Sequence, residues 1–248
     1  MNSIKDVTGG RHLPVDLYKY DYIMIYDFEC RFSPLIQNTS GPNGPKLHWL
    51  NIHVPLSVAI VSNFPGINDR TGKSYDIKFI YNEDPDKLIN QMFIYIKELA
   101  SKIGGYMINK FKNLLNEYNN YSFNKIEINT IQDYAYQVPI IGFNSGKYDI
   151  NMVKSFNFFN HIYENKIKTI FKNNGSYKLL QTQNYRFLDA RHYCFANFNL
   201  DTYIKAYTGK SEKFGFPYEK LTSVEVVKLK IEDLTYEDFN SSLKKIIF

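Results

Sequence analysis

At 248 residues, 44% of them hydrophobic, the chain is long enough to bury one good-sized core, or one core plus an insertion. With 30 lysines and arginines against 25 acids it carries a net charge of +5, a mild bias toward polyanionic partners that identifies none. Two cysteines, Cys30 and Cys194, are too few for a disulfide framework, no run approaches the roughly 18 apolar residues of a membrane span, and the N-terminus has no apolar signal core. A soluble protein of a reducing, intracellular compartment is expected, with no membrane partner.

Residues 1–20 read as a lead-in and 21–248 as one domain. Tyr22-Ile23-Met24-Ile25-Tyr26 is an aromatic and β-branched run, a buried strand ending at Asp27-Phe28-Glu29-Cys30. The prolines and glycines of Ser33 to Lys46 mark a loop, and His53 to Ser62 returns as a second strand. After a turn at Asp69 to Gly72, Ile77 to Tyr81 gives a third, so the short links predict an antiparallel meander. Asp84-Pro85 is a cap followed by a first-turn residue, and Ile89, Met92, Phe93, Ile96, Leu99 and Ile103 fall at helical spacing. A further helix and a polar, Asn-rich link follow, so residues 104–135 read as a helical insertion.

Val138 to Phe143 is a short buried strand opening into Asn144-Ser145-Gly146-Lys147-Tyr148-Asp149, with a helix predicted from Ile150 to Phe159. Strands follow around Thr169 to Phe171, Tyr177 to Leu180 and Tyr185 to Asp189. The tail from Asn199 to Ile247 looks mainly helical, with a break at Phe214 to Tyr218.

Asp27 and Glu29 are spaced by one residue on a strand, which puts both on one face of the sheet. Two such acids suit a hard divalent cation for phosphodiester hydrolysis, and equally suit an ordinary surface. Asp149, opening a helix after a buried strand, can reach a site shared with the first strand or serve as a plain N-cap. Asp189 closes its strand as a candidate site acid or a turn acid. Aromatics reach 17%, with 21 Tyr and 19 Phe; their faces stack on single-stranded bases and also fill cores, and A+T-rich coding would enrich Tyr in any case. The five histidines show no ligand spacing.

In order, Asp27-Phe28-Glu29, Gly142 to Asp149, Phe187-Leu188-Asp189 and Lys213-Phe214-Gly215-Phe216-Pro217-Tyr218-Glu219 resemble the exonuclease region of protein-primed family-B DNA polymerases, over roughly Tyr22 to Phe248. The resemblance implies an α/β, ribonuclease-H-like 3′–5′ exonuclease fold, a mixed sheet with helices on both faces. It implies that Asp27, Glu29 and Asp149 bind two catalytic Mg²⁺ or Mn²⁺ ions, and that Lys213 stands near the scissile phosphate. Phe28, Asn144, Tyr148, Asp189 and Arg191 match positions that contact the single-stranded DNA 3′ end, and a terminal priming protein is the partner of the full-length family. The chain departs from the family in two places. The usual Lys-Gly-Phe-Phe-Pro-Tyr is altered at Lys213 to Tyr218, and the late Tyr-x-x-x-Asp motif is absent, its spacing recurring only at Tyr185 and Asp189 within a strand. The expected product is therefore an exonuclease portion ending before its third motif, with an incomplete metal site. A binding-only relic and a stand-alone ribonuclease-H-like nuclease are the alternatives.

Overall fold

The computed structural model describes residues 20–34, 51–65, 76–110, 136–194 and 198–209, with single positions at 112, 113 and 116. Strand β1 (Met24–Pro34) alternates as a half-buried strand must: Met24, Tyr26, Phe28 and Cys30 are buried, while Ile25 and Asp27 are exposed. It runs through the two acids, past the end predicted for it. The reason is β2 (Asn51–Ser62), which pairs antiparallel along its whole length, from Met24 opposite Ser62 to Pro34 opposite Asn51. Strand β3 (Asp76–Tyr81) completes the expected meander by pairing antiparallel with β2.

Helix α1 (Pro85–Lys110) begins where the sequence signals it. Asp84 Oδ1 accepts from the amides of Asp86 at 3.0 Å and Lys87 at 3.2 Å, and Pro85 occupies the first turn, where its missing N–H costs nothing. Buried Leu88, Ile89, Met92, Phe93, Ile96, Leu99 and Ile103 recur every three or four residues, one stripe laid on the sheet. The helix passes through Gly104 and Gly105 and buries Met107, so the first residues assigned to an insertion are its last turns. Most of 111–135 lies outside the described residues.

Strand β4 (Val138–Gly142) is parallel to β1 but pairs only with Met24 and Ile25. The helix predicted from Ile150 to Phe159 is two: α2 (Asp149–Val153) and α3 (Phe158–Glu164), broken at Asn157 with φ 35°. Asn tolerates this left-handed geometry, which most residues avoid. Strands β5 (Thr169–Asn173) and β6 (Ser176–Gln181) form a hairpin. Strand β7 (Tyr185–Asp189) then runs antiparallel to β6 and parallel to β4, giving a seven-stranded mixed sheet of order β3-β2-β1-β4-β7-β6-β5.

Phe93 of α1 and Phe158 of α3 meet at 5.4 Å, and Phe187 lies 5.6 Å from Phe158 and 6.0 Å from Tyr26. Both helices therefore cover the Tyr26 face of the sheet, and each of these aromatics removes about 150–250 Å² from water. Helix α4 (Leu200–Thr208) is capped by Asn199, which accepts from the Thr202 amide at 2.8 Å, as the predicted helical tail begins. The remainder of that tail, with its break at Phe214 to Tyr218, lies outside the described residues. The chain is an α/β protein, and among the described residues no helix is long and apolar enough to cross a membrane.

Candidate active site

The site forms where the parallel pairing stops. Ile141 is opposite Ile25, so β4 ends level with Tyr26, and among the described residues no strand continues on the β4 side of β1 beyond that point. There the chain turns through 143–148 into α2. Two glycines make the turn possible. A Cβ on Gly142 would lie 2.6 Å from Ser145 Oγ and 3.1 Å from the Tyr26 ring, and one on Gly146 would collide with the Tyr177 carbonyl oxygen. The Gly146 carbonyl accepts from the Tyr177 amide at 2.9 Å, which ties the loop to β6.

Asp189, at the end of β7, organises the same loop. Its Oδ1 accepts from the amides of Asn144 at 2.8 Å and Arg191 at 3.0 Å, and its Oδ2 from the Gly146 amide at 3.1 Å. Three backbone amides from two segments thus converge on this one buried carboxylate. Gly146→Ala, which overfills this packed contact, is expected to cost about 1–3 kcal/mol in urea denaturation. An unchanged midpoint would show that β6 moves aside freely.

Asp149 opens α2 and is 3% exposed. Burial pushes its carboxyl up to about 8, and the charges of Asp27, Asp189 and Glu29 push in the same direction, in that order. The three expected metal acids therefore share one field. Strand alternation puts Asp27 and Glu29 on the face opposite Tyr26 and Phe28, and the early end of β4 leaves the flank across which Asp149 interacts with them. The Tyr26 phenol is raised well above its usual value, by burial first and then by Asp149. Tyr26 and Ser145 hydroxyls lie close enough to influence each other, yet neither has a good hydrogen-bond partner among the described residues.

The donor chemistry fits a hard divalent cation: carboxylate oxygens whose charges act on one buried carboxyl and, beside it, buried hydroxyls without a good hydrogen-bond partner among the described residues. As placed, no three His, Cys, Asp or Glu side chains among the described residues form a group that could hold a metal ion. The acids interact through their charges without forming a finished coordination sphere.

The remaining predicted residues divide. Asn144, at φ 59°, accepts through Oδ1 from Arg191 Nη1 at 3.1 Å, so these two are brought together at the rim of the loop. Tyr148 is 40% exposed at the start of α2. Phe28 lies in the core, 5% exposed and edge-on to Tyr26, because alternation turns it away from Asp27 and Glu29. Asp189 is 2% exposed, and both its oxygens accept from loop amides. Lys213 lies outside the described residues.

Sequence reasoning missed Cys30 and His53, whose side chains meet the Tyr148 hydroxyl, Cys30 Sγ at 3.4 Å and His53 through Nδ1. No local spacing could have linked residues 95 and 118 positions from Tyr148. Comparison of the chain with protein-family models, with curated proteins and with solved structures finds no match.

Proposed function

We propose that this chain is a 3′–5′ exonuclease module of ribonuclease-H-like architecture that takes the single-stranded 3′ end of DNA, the proofreading portion of a protein-primed family-B DNA polymerase. The observation that supports this reading most is the shared field of Asp27, Glu29 and Asp149 at the end of the β1–β4 pairing, where acids from separate elements act on a single buried carboxyl. The mixed sheet, with its antiparallel meander followed by a parallel strand, supports the architecture.

Asp27, Glu29 and Asp149 would hold Mg²⁺ or Mn²⁺. Such ions supply an activated water and offset charge on the leaving oxygen. Arg191, held by Asn144, offers a guanidinium fork to a phosphate, and the half-exposed Tyr148 ring offers a face to the terminal base. A terminal priming protein is the partner this reading implies. The binding-only alternative is favoured by one observation, that the acids are not grouped tightly enough to hold an ion as placed.

The test is a 5′-labelled single-stranded oligonucleotide incubated with the 248-residue chain and Mn²⁺ or Mg²⁺. Slow shortening from the 3′ end is expected, together with a salt-sensitive affinity that Tyr148→Ala weakens by about 10–100-fold. Binding without shortening at any metal concentration would leave the binding-only reading, and absence of binding would remove both.

A further inference from the structure

We propose that His53 is a positioning residue of this site: with Cys30 it clamps the Tyr148 hydroxyl, so that the ring stands fixed at the rim of the acid cluster. The stacking role of that ring rests on the proposed function; the clamp itself does not.

A β-bulge decides where His53 stands. Along β1 and β2, Glu29 is opposite Ser57, but the next pair is Cys30 with Pro55, so Leu56 is an extra residue on β2. Proline, lacking an N–H, is at home beside such an irregularity. The slip changes which face His53 occupies. Continuing the Glu29–Ser57 register would bring His53 opposite Ser33, on the face of Asp27 and Glu29; the bulge brings it opposite Phe32 instead, on the face of Cys30. Only there can it reach Tyr148, which lies over Cys30 at the start of α2.

Three contacts then converge on one phenol. His53 Nδ1 and Cys30 Sγ both meet the Tyr148 hydroxyl, and the imidazole stands edge-on to the Tyr148 ring at 5.4 Å and 69°. Tyr148 also occupies the N-cap of α2, where it makes no side-chain cap bond. Ser, Thr, Asp or Asn would satisfy an orphan amide there, so helix formation does not account for a tyrosine at this position. Its side chain is 40% exposed, so core packing does not account for it either. A ring held by its far end and still 40% exposed is available to a planar partner.

The experiment uses His53→Asn, which keeps a polar group near the place of Nδ1, His53→Phe, which keeps only the ring, and Tyr148→Phe, which removes one oxygen. Two readouts are taken on the 248-residue chain: the ¹³Cζ resonance of Tyr148, assigned by its loss in Tyr148→Phe, and the affinity for oligothymidylate at low salt. His53→Asn is expected to leave the resonance in place and the affinity within about twofold, whereas His53→Phe shifts the resonance and weakens binding about tenfold, a fraction of the usual loss on removing a stacking ring. Tyr148→Phe should weaken binding similarly, with His53→Phe adding nothing on top of it. A wild-type resonance in His53→Phe, or unchanged binding in Tyr148→Phe beside normal binding by the parent chain, overturns the proposal. If the resonance responds as stated while no variant, the parent chain included, binds oligothymidylate, the clamp stands and the nucleic-acid reading fails.

Discussion

Asp149→Asn is expected to stabilise the metal-free protein at pH 8 by on the order of 3–5 kcal/mol, an advantage that fades to nothing below about pH 4. The sign follows from where the proton resides. The folded-state carboxyl is pushed up to about 8 from an ordinary 3.8, by burial and by Asp27, Asp189 and Glu29. Below 3.8 both folded and unfolded chains hold the proton, so this group favours neither. Between the two values the unfolded chain releases it while the folded chain keeps it, and unfolding gains about 1.4 kcal/mol for each pH unit. Above 8 the folded state must carry a buried charge among like charges, and the loss is complete. Asparagine has no charge to bury. Urea denaturation of both proteins in chelator from pH 4 to 8 checks this: curves that converge in acid and diverge toward pH 8 are expected, and parallel curves would show that burial and the neighbouring acids do not raise the Asp149 carboxyl.

A carboxyl raised by burial among like charges makes Asp149 the centre of a candidate site, and the sequence basis of that site is uneven. The acids themselves were legible, because Asp27 and Glu29 lie on a strand whose alternation is plain and Asp149 follows a short apolar run. The Gly142 to Gly146 turn was legible as a turn; that a Cβ at Gly146 would strike the Tyr177 carbonyl was not, because Tyr177 belongs to β6. The length of β1 was underestimated since the pairing that extends it comes from β2, and local propensity does not report partners. Phe28 was named through the resemblance, which does not report that a residue between two acids on a strand points away from both. His53 was invisible because its face is decided by a one-residue bulge. Asp189 was seen as a site or turn acid, and the structure makes it the buried centre of the loop that delivers Asn144 and Tyr148.

The second large effect runs against the first, and the pair together tests the site. If Asp27, Glu29 and Asp149 hold divalent cations, then Asp27→Asn and Asp149→Asn each remove an oxygen ligand and a negative charge from a cation that tolerates little distortion. Groups that act as a unit lose far more than a proportional share when one is deleted, so metal-dependent shortening of a single-stranded 3′ end is expected to fall by at least about 10³-fold in either variant. Metal binding should be visible without turnover. Because an ion binds the folded chain and not the unfolded one, Mn²⁺ at about 100 times its dissociation constant should add about 2.7 kcal/mol to the stability of the parent chain at pH 8. It should add much less to Asp149→Asn, whose relief from charge repulsion has already occurred. Asp149→Asn is thus expected to be the more stable and the less active protein at once. A passive surface acid would give neither effect, whereas a residue needed only for folding would lower stability and activity together. Retained hydrolysis in Asp149→Asn would show that the cation is held elsewhere, and the raised carboxyl would then be a consequence of packing alone.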